Sequence, residues 1–121
     1  MPKTYSFRPS RIISAFENCM DYEKIETYTE IMKQEMMSHD FPPILGLLHT
    51  IDENDIEDDT CFLSGEQIEY KHIGQRAWKV TDGHHRSIAA INACLPSIEC
   101  QYDYSALVSA KEKELYNQGL L

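Results

Sequence analysis

The sequence predicts a small domain of the α+β or mixed α/β class, in which helices and strands alternate. Apolar residues recur at helical spacing near residues 22–37 and 88–95, and short apolar runs typical of strands lie between and around these segments. Turn-forming proline, glycine and aspartate residues separate the segments. At 121 residues the chain has the length of one domain with a modest core. We therefore expect a single domain over residues 1–121.

The N-terminal half predicts a strand, a helix and a second strand. Tyr5–Ile13 is expected to form the first strand, interrupted at Pro9 because proline cannot donate to a sheet ladder. A helix is expected over Tyr22–Met37, with Asp21 as its cap. Nearly continuous apolar residues over Ile44–Ile51 then predict a strand that is buried on both faces. The apolar face of the helix consists of Ile25, Tyr28, Met32 and Met36.

The C-terminal half predicts more strands and two helices. Phe62–Val80 is expected to form a strand or a hairpin pair that turns near Gly74, with alternation at Ile68, Tyr70 and His72. The next helix is expected to end after Leu95, and Ile98–Tyr102 predicts a closing strand. A last helix is expected at about 104–118. Trp78 is expected to lie in the core. The expected apolar positions of the last helix are Leu107, Val108, Leu115 and Tyr116.

Charge and cysteine content limit the classes of function. The net charge is −9, which disfavours direct binding to the DNA backbone because that partner needs a basic surface. The sequence contains no apolar run long enough to span a membrane and no signal-peptide core. We therefore expect a cytoplasmic protein without a membrane partner. Widely spaced cysteines in such a chain are expected to be free thiols, at Cys19, Cys61, Cys94 and Cys100.

An acidic run occupies residues 52–59. It lacks the central glycine of the calcium-binding loop found in helix-loop-helix proteins. A solvated acidic loop is the simpler interpretation. The alternative is a docking surface for a basic protein partner, or a mimic of nucleic-acid charge.

The most informative stretch is Val80–Ala90, where an apolar run meets a turn and then a helical pattern. The start of a helix presents unpaired N–H groups and the positive end of a dipole, so it attracts anions. Gly83 would let the backbone approach a ligand, and Arg86 would add a cation with a planar fork of donors. These features suit a phosphate group. The alternative is an ordinary strand-to-helix turn with polar surface residues.

The Asp-Gly-His-His-Arg sequence at residues 82–86 resembles the signature turn of the ParB/sulfiredoxin superfamily. Arg8–Ile12 is similar to the first conserved box of that family, and Phe41–Leu45 and Leu95–Tyr102 resemble its second strand and its closing strand. The resemblance covers a core at about 7–103. It implies a small domain in which a mixed sheet is flanked by helices.

The resemblance also implies that the protein binds a nucleoside triphosphate, ATP or CTP, together with Mg²⁺. Asp82 would hold the metal ion and, with His84 and His85, would take part in hydrolysis or phosphate transfer. Arg8 or Arg11 would reach a phosphate, the alternative for both being a surface ion pair. The phosphates would lie against Gly83, His84, His85, Arg86 and Ser87.

Two further points limit the expected chemistry. His84 stands where sulfiredoxin carries its nucleophilic cysteine, so sulfinic-acid reduction is not expected. A catalytic carboxylate is not distinguished by sequence among Glu17, Glu23 and Glu30. The competing hypothesis, from another class, is a non-catalytic interaction or regulatory protein that keeps the fold and contacts a partner through its acidic run.

Overall fold

The computed structural model describes residues 3–15, 21–35, 41–58 and 60–120. Within these residues seven strands form one sheet. The strands are β1 (Tyr5–Phe7), β2 (Ile12–Ala15), β3 (Ile44–Thr50), β4 (Cys61–Leu63), β5 (Glu66–Gln67), β6 (Arg76–Asp82) and β7 (Ile98–Tyr102). The α-helices are α1 (Tyr22–Glu35), α2 (Glu53–Glu57), α3 (His84–Asn92) and α4 (Ala110–Asn117). Short 3₁₀ turns span Pro9–Arg11, Tyr70–His72 and Tyr104–Ala106.

The sheet is mixed, which confirms the predicted fold class. Its strand order is β1-β7-β3-β6-β2-β4-β5. The two central strands, β3 and β6, are antiparallel, whereas β2 runs parallel to β6 and β7 runs parallel to β3. No described helix has the length and apolar character needed to cross a membrane.

Two cores lie on opposite sides of this sheet. Successive residues of a strand point to opposite faces, so Ile12 and Trp78 belong to one core while Ile13 and Ala77 belong to the other. The larger core includes buried residues of α1 and α3, whereas Ile56 of α2 packs against the smaller one. Helices α1 and α3 therefore share one face of the sheet, and α2 lies on the other.

Most predicted elements are confirmed, including the interruption at Pro9, the strand at β3, the turn at Gly74 and the closing strand. Leu45, Leu47 and His49, which share one face of β3, are only half-buried, so the prediction of full burial on both faces is too strong. Asp21 caps α1 by accepting from the Lys24 N–H at 3.0 Å. The predicted helix positions Met36 and Met37 lie outside the described residues.

Three predicted boundaries differ from the structure. Tyr70–His72 forms a 3₁₀ turn rather than a strand, because the His72 ring accepts from the Glu69 N–H at 2.9 Å and turns the chain. Helix α3 ends at Asn92, before Pro96, because Cys94 adopts a left-handed conformation with φ of 55°. Val108 is 90% exposed, since the last helix begins only at Ala110.

Residues 53–57 of the acidic run form helix α2 and not the expected solvated loop. Asp52 caps α2 by accepting from the Asn54 N–H, and Asp55 accepts from the Asp52 N–H at 2.8 Å. This reciprocal pairing satisfies N–H groups that a helix start leaves unpaired. Asp55 is only 4% exposed, whereas Asp52, Glu53, Glu57 and Asp58 are exposed. Asp52 and Asp55 therefore both stabilise the start of the helix, and of the two only Asp55 is buried.

Gly46 in β3 is required by the packing of Trp78. A Cβ atom at Gly46 would lie 2.3 Å from the Lys79 carbonyl oxygen and 2.6 Å from Trp78 Nε1. Real Cβ atoms do not approach other atoms this closely, and the backbone of β6 cannot move without disturbing the central strand pair. The indole is 1% exposed and packs with Tyr5, Phe7 and Tyr102.

We predict that Gly46→Ala lowers the free energy of unfolding by about 1–3 kcal/mol, the usual cost of overpacking a core. Chemical denaturation followed by Trp78 fluorescence measures this loss. The control is Ser6→Ala, at an exposed position of an edge strand, which should change stability by less than about 0.5 kcal/mol. Equal stability of the two variants would contradict the packing argument.

Candidate functional site

The turn after β6 has the predicted strand-turn-helix geometry. Gly83 is left-handed, with φ of 100°, and α3 starts at the next residue. A Cβ atom here would lie 2.8 Å from both Ile44 and Arg86, so glycine is needed for space as well as for conformation. The first intrahelical bond runs from the Ser87 N–H to the Gly83 carbonyl oxygen at 2.9 Å. The N–H groups of the preceding residues have no partner within a helix, by its geometry.

His85 joins the N-termini of α1 and α3. Its Nε2 atom accepts from the Asp21 N–H at 3.1 Å, and Asp21 is the residue before α1. Because Nε2 accepts in this contact, Nδ1 is the ring nitrogen left to donate. The positive ends of two helix dipoles therefore lie side by side at this edge of the sheet, where the Asp21 carboxylate caps α1.

Arg86 is anchored by backbone carbonyl groups. Its Nη1 atom donates to Pro42 at 2.6 Å and to Pro43 at 3.3 Å. Its Nη2 atom lies 3.7 Å from the Asp82 carboxylate and next to the position that a Gly83 Cβ would occupy. The guanidinium thus lies over the turn, and one of its nitrogens holds the segment before β3.

The other predicted residues of the turn differ in accessibility. The Asp82 side chain is 69% exposed, and His84 is half-buried in the first turn of α3. Ser87 is fully buried, and its hydroxyl donates to the Gly83 carbonyl oxygen at 2.8 Å. Ser87 therefore stabilises the turn, which corrects the expectation that it contacts a ligand.

Arg11 is remote from this turn. Its Nη1 atom donates to the Arg76 carbonyl oxygen at 2.9 Å, at the beginning of β6, whereas Gly83 follows the end of that strand. At about 3.3 Å per residue the two ends of β6 are roughly 20 Å apart. Arg8 is exposed and lies on the same 3₁₀ turn, where its carbonyl oxygen accepts from the Arg11 N–H. Arg11 is thus not part of the Gly83 site, and no described contact links Arg8 to it.

The candidate carboxylates are distributed differently. Glu23 and Glu30 are exposed on α1, and Glu30 lies 3.8 Å from Lys33. Glu17 lies outside the described residues. No described contact brings Glu23 or Glu30 to the Gly83 turn.

A polar cluster that the sequence analysis missed lies on the opposite face of the sheet. His49 Nε2 is 2.7 Å from Asp55 Oδ2, and Lys79 Nζ is 3.7 Å from Asp55 Oδ1. Ligand atoms of His49, Asp52 and Asp55 lie within 4.8 Å of one another, so this is a candidate metal-binding group. The Asp-x-x-Asp spacing at a helix start could have indicated the capping contact, but only the fold shows that His49 and Lys79 meet it.

Burial raises the pKa of Asp55, but hydrogen bonds from Asp52 and His49 and the positive charges of His49 and Lys79 outweigh it and leave the pKa below its ordinary value. A carboxylate with a lowered pKa stabilises the fold above its unfolded-state pKa, about 3.9. That contribution is lost as the pH falls through the lower pKa of the folded state. We therefore expect the free energy of unfolding to decrease in acid as Asp55 becomes protonated.

We predict that Asp55→Asn lowers the free energy of unfolding at pH 7 by about 1–3 kcal/mol, because it weakens charge-assisted hydrogen bonds. The gap to the unmodified protein should narrow below about pH 4. Urea denaturation across this pH range measures both effects. Glu53→Gln, at an exposed residue of the same helix, is the matched control and should change little. Parallel curves for Asp55→Asn and the unmodified protein would contradict the pH argument.

Three thiols lie within the described residues, and all are free. Burial raises the pKa of Cys100 to about 12. Burial and the hydrogen bond to Asp58 raise the pKa of Cys61. Neither thiol is in its reactive thiolate form at neutral pH. Cys19 lies outside the described residues.

Comparison of the chain with models of protein families, with curated proteins and with solved structures finds no match. The resemblance to the ParB/sulfiredoxin superfamily therefore rests on the sequence motifs alone. Any functional assignment must accordingly be based on the geometry of the Gly83 turn.

Proposed function

We propose that the protein binds a nucleoside triphosphate, ATP or CTP, with Mg²⁺ at the Gly83 turn, and hydrolyses it or transfers its phosphate. The observation that carries the proposal is the convergence of two helix N-termini, linked by His85 and Asp21. Helix N-termini bind phosphate because their N–H groups and dipoles both favour an anion. The left-handed glycine allows the phosphate to approach the backbone closely.

The side chains around the turn have separate roles in this proposal. Arg86 contacts a phosphate oxygen with the donors that Pro42 and Pro43 do not use, since a guanidinium has five N–H donors. Exposed Asp82 is the carboxylate available to Mg²⁺, which usually takes one or two carboxylates together with phosphate oxygens. Bound magnesium would neutralise phosphate charge. His84 is positioned in the first turn to donate to a phosphate or to accept a proton, while His85 is held by Asp21.

We predict that Arg86→Ala weakens binding of Mg-ATP or Mg-CTP by roughly 10- to 100-fold, the effect of one charge-assisted contact. It should also lower the melting temperature without ligand, because the Pro42 and Pro43 carbonyl groups lose their donor. Arg86→Lys should recover only part of the affinity, since lysine lacks the planar fork. Isothermal titration and thermal shift measure both effects.

Arg11→Ala is the matched control, because it removes the same charge at the other end of β6 and should leave nucleotide affinity within about twofold. Hydrolysis is followed as phosphate release with and without magnesium. A protein that binds neither nucleotide at millimolar concentration would refute the proposed function. If the Arg11 variant loses as much affinity as the Arg86 variant, the effect is one of overall charge. The Gly83 turn would then not be the binding site.

A second candidate function is non-catalytic docking of a protein partner. It is favoured by the regular helical structure within the acidic run. Helix α2 and its caps hold Asp52, Glu53, Glu57 and Asp58 exposed on one short segment. An ordered array of carboxylates suits a basic protein partner better than a flexible loop does, because less conformational entropy is lost on binding. Salt-sensitive binding of a basic partner that is abolished by neutralising these four residues would support this function.

A further inference from the structure

A cavity lies on the side of the sheet that carries α1 and α3. Its volume is about 200 Å³. It is bounded by β2, the start of α1, the C-terminal half of α3 and the turn at Gly65. The side chains that line it and that matter here are Ser14, Tyr22, Ile25, Ile88, Ile91 and Asn92.

Ser14 is the unusual member of this lining. Its side chain is 1% exposed, and its Oγ atom has no hydrogen-bond partner among the described residues. A buried hydroxyl without a partner destabilises the folded protein. Its neighbours in β2, Ile12 and Ile13, are apolar, as expected of core positions. Ser14 lines the cavity, so its hydroxyl is available to a ligand that enters it.

The cavity has a closed polar floor and an open rim. Ser14 and Ile25 are buried, whereas Tyr22 is 70% exposed and Asn92 is exposed. The described residues that line it include no charged side chain. Ile88 and Ile91 provide apolar walls, and the Asn92 amide supplies both a donor and an acceptor. This mixture of apolar and uncharged polar side chains suits an uncharged group that combines apolar and hydrogen-bonding surface.

The position of the cavity relates it to the phosphate site. Tyr22 follows Asp21, whose N–H group donates to His85. Ile88 lies one turn beyond His84, a rise of about 6 Å along α3. The volume is below the approximately 300–1,000 Å³ of sites for drug-sized ligands, so it accommodates part of a nucleotide rather than the whole molecule. Ile88, Ile91 and Asn92 lie on the face of α3 that also carries His84, because they follow it by four, seven and eight residues.

We propose that this cavity binds the heterocyclic base of the nucleotide, with Ser14 Oγ hydrogen-bonded to a ring-edge atom and Ile88 and Ile91 packed against the ring. This inference rests on the proposed function. It adds a base-recognition site that is separate from the phosphate turn. Ser14 is thereby a specificity residue, and its missing partner is supplied by the ligand.

The test compares Mg-ATP, Mg-CTP and inorganic tripolyphosphate, by isothermal titration, on the unmodified protein and two cavity variants. Ser14→Ala should weaken the preferred nucleotide by roughly 3- to 10-fold, the effect of one hydrogen bond. Ile91→Phe should weaken it roughly 10-fold or more by filling the cavity. Tripolyphosphate affinity should stay within about twofold in both variants. Ser14→Ala should also keep or raise the melting temperature without ligand, because it removes an unpartnered hydroxyl.

Ile73→Phe is the matched control, since Ile73 is 40% exposed and precedes β6 away from the cavity. Unchanged nucleotide affinity in both cavity variants would overturn the inference, and so would an equal loss for tripolyphosphate. If the nucleotides bind no more tightly than tripolyphosphate, the base-binding cavity is overturned but the phosphate site is not. If neither the nucleotides nor tripolyphosphate bind, the proposed function fails. Titration with adenosine and cytidine then tests whether the cavity binds a base on its own. Binding of either nucleoside that is lost in Ile91→Phe supports the cavity, and no binding overturns it.

Discussion

The left-handed turn at Gly83 is the constraint on which the functional half of this fold depends. The space that a Cβ atom would need is occupied by Ile44 and by the Arg86 guanidinium. The absence of that atom lets α3 fold back onto the sheet at the end of β6, and it lets Arg86 reach the Pro42 carbonyl oxygen. One glycine therefore fixes the direction of α3, the start of β3 and the presentation of the first-turn N–H groups.

The electrostatics of the site contrast with those of the whole chain. The protein carries a net charge of −9, so an approaching triphosphate is repelled at distances beyond a few ångströms. Attraction arises only locally, from the paired N-termini of α1 and α3 and from Arg86. Local dipoles act within about one helical turn, and the repulsion is screened by salt. On the proposed function, magnesium would reduce the charge of the nucleotide and with it this repulsion.

The sequence predicted well those features that are decided by neighbouring residues. The strand, glycine and helix of residues 76–92 follow from local periodicity and from the conformational freedom of Gly83. Features that depend on register across the sheet were not predictable. Arg11 is separated from the turn because β2 begins beside the start of β6. Ser87 and Asp55 have ordinary polar sequence contexts, and only tertiary packing shows that both are buried.

Arg86 shows how one side chain can serve both stability and binding. Its Nη1 atom satisfies two backbone carbonyl groups, and its Nη2 atom lies over the glycine that opens the turn. A lysine could replace the charge of Arg86. It could not hold the carbonyl groups and face the turn at the same time, because its single ammonium group cannot present donors in two fixed directions. The fold and the proposed anion site would therefore share one guanidinium. The same sharing explains why the turn tolerates a cation near a helix N-terminus, where the dipole alone would disfavour it.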